Sequence, residues 1–167
     1  MFKNRGFTLV ELLVVISIIA ILSIVGIVSY TNFLKSSRDA KRQSDLKLIQ
    51  SALEDYHADL LVYPKVSGGL VLSSTVTLDS DIGRGSIQAP ATKKTYLNNI
   101  PKDLIPSPYP AYCYRSTLSN GSDCDNSDSS SDHRCAKYTL YAKLENLPSG
   151  SNSCGNDSTY NFQVTPP

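Results

Sequence analysis

The chain has 167 residues, enough for one domain of ordinary size and too few for two cores with a linker. Lys+Arg is 16 and Asp+Glu is 15, a net charge of +1, so bulk charge gives no support to nucleic-acid binding. Hydrophobic content of 41% excludes a wholly disordered chain. These averages hide a split. Residues 7–28 contain one charge, Glu11, whereas the 139 residues after position 28 carry 14 basic and 14 acidic side chains.

Residues 7–28 read FTLVELLVVISIIAILSIVGIV, and sixteen of these 22 are Phe, Leu, Ile or Val. About 20 helical residues cross ~30 Å of hydrocarbon, so the segment is long enough to span a bilayer. Each large aliphatic residue favours insertion by roughly 0.3–0.6 kcal/mol, against about 3 opposing it for an acid, so Glu11 is outweighed. A cleaved secretory signal and a plain signal anchor both fit the apolar run. The first suits Lys3 and Arg5, but no small-x-small cleavage site follows the run: Ile18 lies two positions before Ala20, and Ile27 two before Ser29.

The junction Lys3-Asn4-Arg5-Gly6-Phe7-Thr8-Leu9-Val10-Glu11-Leu12 resembles the prepilin class: type IV pilins and the pseudopilins of type II secretion. Their pattern is a short basic leader ending in Gly, then Phe-Thr-Leu-(Ile/Val)-Glu-Leu and a long apolar helix. The resemblance implies a leader of residues 1–6, cleavage between Gly6 and Phe7 by a prepilin peptidase, and N-methylation of Phe7. It also implies that Glu11 acts in assembly. The physics of each position agrees. Gly6 lets a protease approach the backbone closely. Glu11 is costly in lipid and needs a partner, and cleavage creates one in the new amine at Phe7 of a neighbouring subunit. The competing reading is a protonated Glu11 hydrogen-bonded within its own helix.

Pro64 is the first proline and Gly26 the only glycine between Phe7 and Gly68, so one helix is expected from Phe7 to about Asp59. Residues 7–28 form its transmembrane or filament-core half and 29–60 its amphipathic half. Leu46, Leu48, Ile49, Ala52, Leu53, Tyr56 and Leu60 are assigned to one stripe, with Lys47, Gln50, Ser51, Glu54 and His57 opposite. Lys35, Arg38 and Arg42 suit lipid headgroups or neighbouring acids, with a DNA-binding stripe as a weaker alternative.

Residues 61–167 are expected to form a globular head. Glycines and prolines punctuate 61–110, leaving room for a short strand near Leu70–Leu78 and a helical turn near Thr92–Asn98. Tyr63-Pro64 and the run Leu97-Asn98-Asn99-Ile100-Pro101-Lys102-Asp103 resemble pilin and pseudopilin loops, with Leu104 standing where the family usually has Pro. Strands follow at Ala111–Thr117 and Ala136–Glu145, where Tyr138, Leu140, Ala142 and Leu144 alternate with polar positions, and a third is expected at Tyr160–Val164. The fold class expected is α+β, a long amino-terminal helix packed on a small antiparallel sheet.

Cys113, Cys124, Cys135 and Cys154 suggest two disulfides with three possible pairings. Cys124–Cys135 would close the loop between the first two strands and leave Cys113 with Cys154. A zinc site of Cys124, His133 and Cys135 lacks the usual ligand spacing. Asp123, Asp125 and Asp128 are candidate calcium ligands in an otherwise solvated loop, and no other cofactor is expected. No catalytic motif occurs, so no enzyme is expected. The partners implied are sibling subunits in a helical filament, the prepilin peptidase, an assembly platform with its ATPase, and the inner membrane of a bacterium before export to the cell surface. A pilin and a major pseudopilin both fit; a membrane-anchored binding protein is the alternative from another class.

Overall fold

The computed structural model describes residues 6–66, 70–72, 77–85, 92–103, 111–127, 130, 132–154 and 157–167. The chain divides into two compact units, Met1–Ser37 and Arg38–Pro167. Helix α1, Leu9–Leu60, contributes to both.

In the first unit α1 is apolar on every side, and its most apolar window has none of its residues buried. By length and composition this part of the helix is long and apolar enough to cross a membrane. Two of its serines bond to their own helix: Ser17 Oγ donates to Val14 O and Ser23 Oγ to Ile19 O, both at 2.7 Å.

In the second unit α1 is amphipathic. Leu46, Ile49, Ala52, Leu53, Tyr56 and Leu60 are buried, whereas Leu48 is 51% exposed and leaves the predicted stripe. At 100° per residue Leu48 lies 200° from Leu46, beyond the face that the sheet covers. The helix ends with Leu61 in a left-handed conformation, φ 59°, its N–H donating to His57 O at 2.7 Å. No glycine marks this stop, which falls one residue beyond the expected end at Asp59.

The main sheet has the order β1-β4-β5-β8, all antiparallel, with β1 Leu70–Val71, β4 Cys113–Thr117, β5 Lys137–Ala142 and β8 Phe162–Val164. Tyr114 faces Leu140 and Ser116 faces Tyr138 across the central pair. The period of two sends Tyr112, Tyr114, Tyr138, Leu140 and Ala142 into the cluster that also holds the helix stripe. Cys113 emerges on the other side and joins Cys154 and Tyr160 in a second, smaller cluster. Large phenols fill the core because their hydroxyls find acceptors: Tyr63 and Tyr138 both donate to Glu54, at 3.0 and 2.8 Å, and Tyr112 donates to Asp45 at 2.9 Å.

Three local expectations are corrected. The strand placed near Leu70–Leu78 resolves into β1 and β2, Leu78–Asp79, in different sheets. The segment expected as a helical turn near Thr92–Asn98 contains strand β3, Thr95–Leu97, because Leu78 and Asp79 offer it an antiparallel partner. The third strand splits at Asn161. β7, Asp157–Tyr160, pairs with β6, Asn152–Cys154, and β8 pairs with β5. Asn161 marks the break: its N–H still donates to Ala142 O at 3.3 Å, while Oδ1 accepts from Leu144 N at 2.7 Å and Nδ2 donates to Leu144 O at 2.8 Å, tying the segment after β5 with side-chain bonds.

Candidate processing and assembly site

Gly6 and Phe7 precede the helix and are exposed, Phe7 at 85%. A methyl group added at Gly6 would meet nothing within 4 Å, so contacts among the described residues do not call for glycine there. Two residues on, Thr8 and Glu11 form a reciprocal pair. Glu11 N donates to Thr8 Oγ1 at 3.2 Å, and Thr8 N and Oγ1 donate to Glu11 Oε2 at 2.9 and 2.7 Å. This is a capping box: Thr-x-x-Glu satisfies amide donors that the first turn of any helix leaves open. In the isolated chain Glu11 is therefore held by its own helix, as an acceptor from Thr8. Thr8 was not singled out as a partner, although the Thr-x-x-Glu spacing is the usual signature of one.

The four cysteines pair as Cys113–Cys154, with Cα atoms 6.2 Å apart, and Cys124–Cys135, at 5.1 Å. The zinc reading of Cys124, His133 and Cys135 is set aside, since both sulfurs are consumed by the bridge. Within the closed loop Asn126 is fully buried at φ 51°. Its Nδ2 donates to Tyr63 O and Gly83 O, both at 2.9 Å, and its Oδ1 accepts from Cys135 N at 2.8 Å. Gly85 must be glycine: φ is 62°, and a Cβ would strike the Asn126 carbonyl. One side chain thus ties the disulfide loop to the segment after α1 and to the turn at Gly83.

Of the calcium candidates, Asp123 and Asp125 lie among the described residues. Asp123 accepts from Arg115 at 3.3 Å. Asp125 caps Ser127 N at 2.9 Å, and that bond holds its carboxyl below the usual range. Asp128 lies outside the described residues, among which no group of three His, Cys, Asp or Glu side chains is arranged to hold a metal.

Two of the three residues of the proposed DNA stripe belong to an ion network instead. Arg42, 1% exposed, donates through Nε and Nη2 to Asp103 at 2.6 and 3.2 Å, and through Nη1 to Asp39 and Glu145 at 3.0 Å each. Arg38 grips Glu145 with two bonds of 2.6 Å. Asp39 closes the set by accepting Glu145 N and Asn146 N at 2.8 and 2.9 Å. The bonds from Arg38 lead in holding the Glu145 carboxyl below its ordinary value against the opposing effect of burial. Burial likewise opposes the Arg42 charge, but Asp103 and Glu145 outweigh it and raise its pKa. The reading of these arginines as partners of neighbouring acids holds, and their guanidiniums are committed within the head. Lys35 is exposed.

Neither the curated proteins nor the solved structures contain a match to this chain. Residues 1–27 match the family model of the prokaryotic N-terminal methylation motif. The matched segment holds Gly6, Phe7, the Thr8–Glu11 cap and most of the apolar run, so the amino-terminal part of this chain carries the signal of type IV pilins and pseudopilins.

Proposed function

We infer that the chain is a structural subunit, a pilin, of a type IV pilus-like filament. The observation that carries the reading is the methylation motif in register with a helix whose apolar half has none of its described side chains buried. Before assembly that half lies in the plasma membrane with the head outside. A prepilin peptidase cuts after Gly6 and methylates Phe7, and the assembly machinery moves the subunit into a fibre. There the apolar helices bundle and each Glu11 meets the amine of a neighbouring Phe7. The task is assembly rather than catalysis. A pilus is favoured over a secretion pseudopilus by the disulfide-closed loop of residues 124–135, which offers polar side chains such as Asp132 and His133 to solvent.

Intact-mass and amino-terminal analysis of protein purified from its own cells tests the reading. A mature start at methylated Phe7, together with surface fibres labelled by antibody to the head, is the expected result. A start elsewhere removes the basis of the assignment.

A further inference from the structure

The first unit carries aromatic residues only at its ends. Phe7 stands before α1, no aromatic residue occurs from Thr8 to Ser29, and Tyr30 and Phe33 follow. Both are exposed, at 63% and 68%. Around them the composition changes from aliphatic to mixed: Ser29, Thr31, Asn32 and then Lys35, the sole cation between Gly6 and Ser37. Deeper in the run Ser17 and Ser23 bond to their own helix.

The geometry points to an outer-leaflet lipid interface as the partner of segment Tyr30–Lys35, with Tyr30 and Phe33 seated at headgroup level and fixing the depth of the helix. This deepens the membrane reading of the first unit and rests on it. Tyrosines and lysines suit this level because each has an apolar body or stem and a polar tip. Counting down from Tyr30 supplies an independent check. Glu11 lies 19 residues earlier, about 29 Å along the helix. With Tyr30 at the outer boundary of a hydrocarbon slab of ~30 Å, the Glu11 carboxylate falls at the inner boundary, where a charge costs far less than at mid-depth. The seat therefore resists sliding in both directions. Moving outward by a turn carries Glu11 into hydrocarbon and Phe33 into water, and moving inward buries Lys35. An acid at the third residue of α1 is tolerable in the unassembled subunit because the aromatic pair holds it at the edge.

The chain contains no Trp, so single substitutions give unambiguous reporters. The full-length chain carrying Ile19→Trp, Tyr30→Trp, Phe33→Trp or Ser37→Trp is reconstituted into phosphatidylcholine–phosphatidylglycerol vesicles. These hold a nitroxide either at the headgroup or deep on the acyl chain. All four sites are exposed on the helix, so far-UV dichroism should be unchanged. For Tyr30→Trp and Phe33→Trp the headgroup nitroxide should quench at least about twofold more than the deep one; Ile19→Trp should show the reverse. Ser37→Trp should escape the deep label. Deep quenching of Tyr30→Trp and Phe33→Trp equal to that of Ile19→Trp overturns the seat, as does failure of either label to quench them. In both cases the membrane reading survives if Ile19→Trp is quenched from the bilayer centre. Absence of deep quenching at Ile19→Trp overturns the insertion itself, and the seat with it.

Discussion

Arg42 is the residue on which the lower part of the head depends most. Its guanidinium lies among Asp39, Asp103 and Glu145, joining α1 to two loops distant in sequence. A buried ion cluster is not in itself a large source of stability, since desolvation offsets much of the Coulomb attraction, but removing one member leaves the others uncompensated. Arg42→Met should cost about 3–5 kcal/mol, measured by chemical denaturation of the full chain in detergent. The double variant Arg42→Met/Asp103→Leu should cost less than Arg42→Met alone, because the stranded carboxylate is gone; equal losses would show that the pair is not coupled. Glu145 adds a pH dependence. Its carboxyl is held below the usual 4.5, so its contribution is fully present above that pH and is lost as pH falls through the lower folded value. The melting temperature should drop on acidification below about pH 4.5, and Glu145→Gln should flatten that slope. Of these partnerships only that with Asp39, three residues before Arg42 on the same helix, is close enough in sequence to be legible there. Three basic residues on one helix face look alike whether they meet lipid, DNA or acids, and the acids that capture two of them lie over 60 and 100 residues away.

At the scale of elements, periodicity was informative where one face is buried and silent where backbone pairing decides. The helix stripe and the alternation of Tyr138, Leu140 and Ala142 were readable because burial selects side chains at those periods. The break at Asn161 and the strand at Thr95–Leu97 were not, since each depends on a partner that only the fold supplies. The disulfide connectivity was favoured by loop closure alone, with the other pairings left open. The helix end is another such case: Leu61 occupies a left-handed position where glycine is the common choice, and its side chain is 62% exposed. A side chain at this φ costs roughly 1–2 kcal/mol, of which glycine's larger loss of chain entropy gives back roughly 0.5–1. Leu61→Gly should therefore stabilise the head by about 0.5–1 kcal/mol, a rise of roughly 1–4 °C in melting temperature. A fall would show that Leu61 makes a contact worth more than the strain.

At the scale of the molecule, the two units follow different rules. The head is stabilised by burial, paired charges and two covalent bridges, whereas the apolar helix of the first unit leaves its hydrophobic surface open, which in the proposed function membrane or sibling helices would cover. In the proposed filament the change from one environment to the other turns on Glu11, whose carboxylate in the isolated chain is occupied by Thr8 through one oxygen, Oε2. Glu11→Ala tests whether that carboxylate is needed for folding, for insertion or for assembly. Removing the acid eases insertion by up to about 3 kcal/mol. The cap loses one of its two reciprocal halves, at about 1 kcal/mol, within the first turn only. The variant should insert, its head should fold with both disulfides formed, and cleavage after Gly6 should proceed because the scissile junction is unchanged. Assembly should fail: the new amine at Phe7 would enter an apolar bundle without its counter-charge, and an unpaired buried charge costs several kcal/mol. The expected outcome is processed subunit in the membrane fraction and few or no fibres when this is the sole pilin expressed. Fibres at the normal yield would mean that the Phe7 amine finds its partner elsewhere, and that Glu11 serves chiefly as the cap of its own helix.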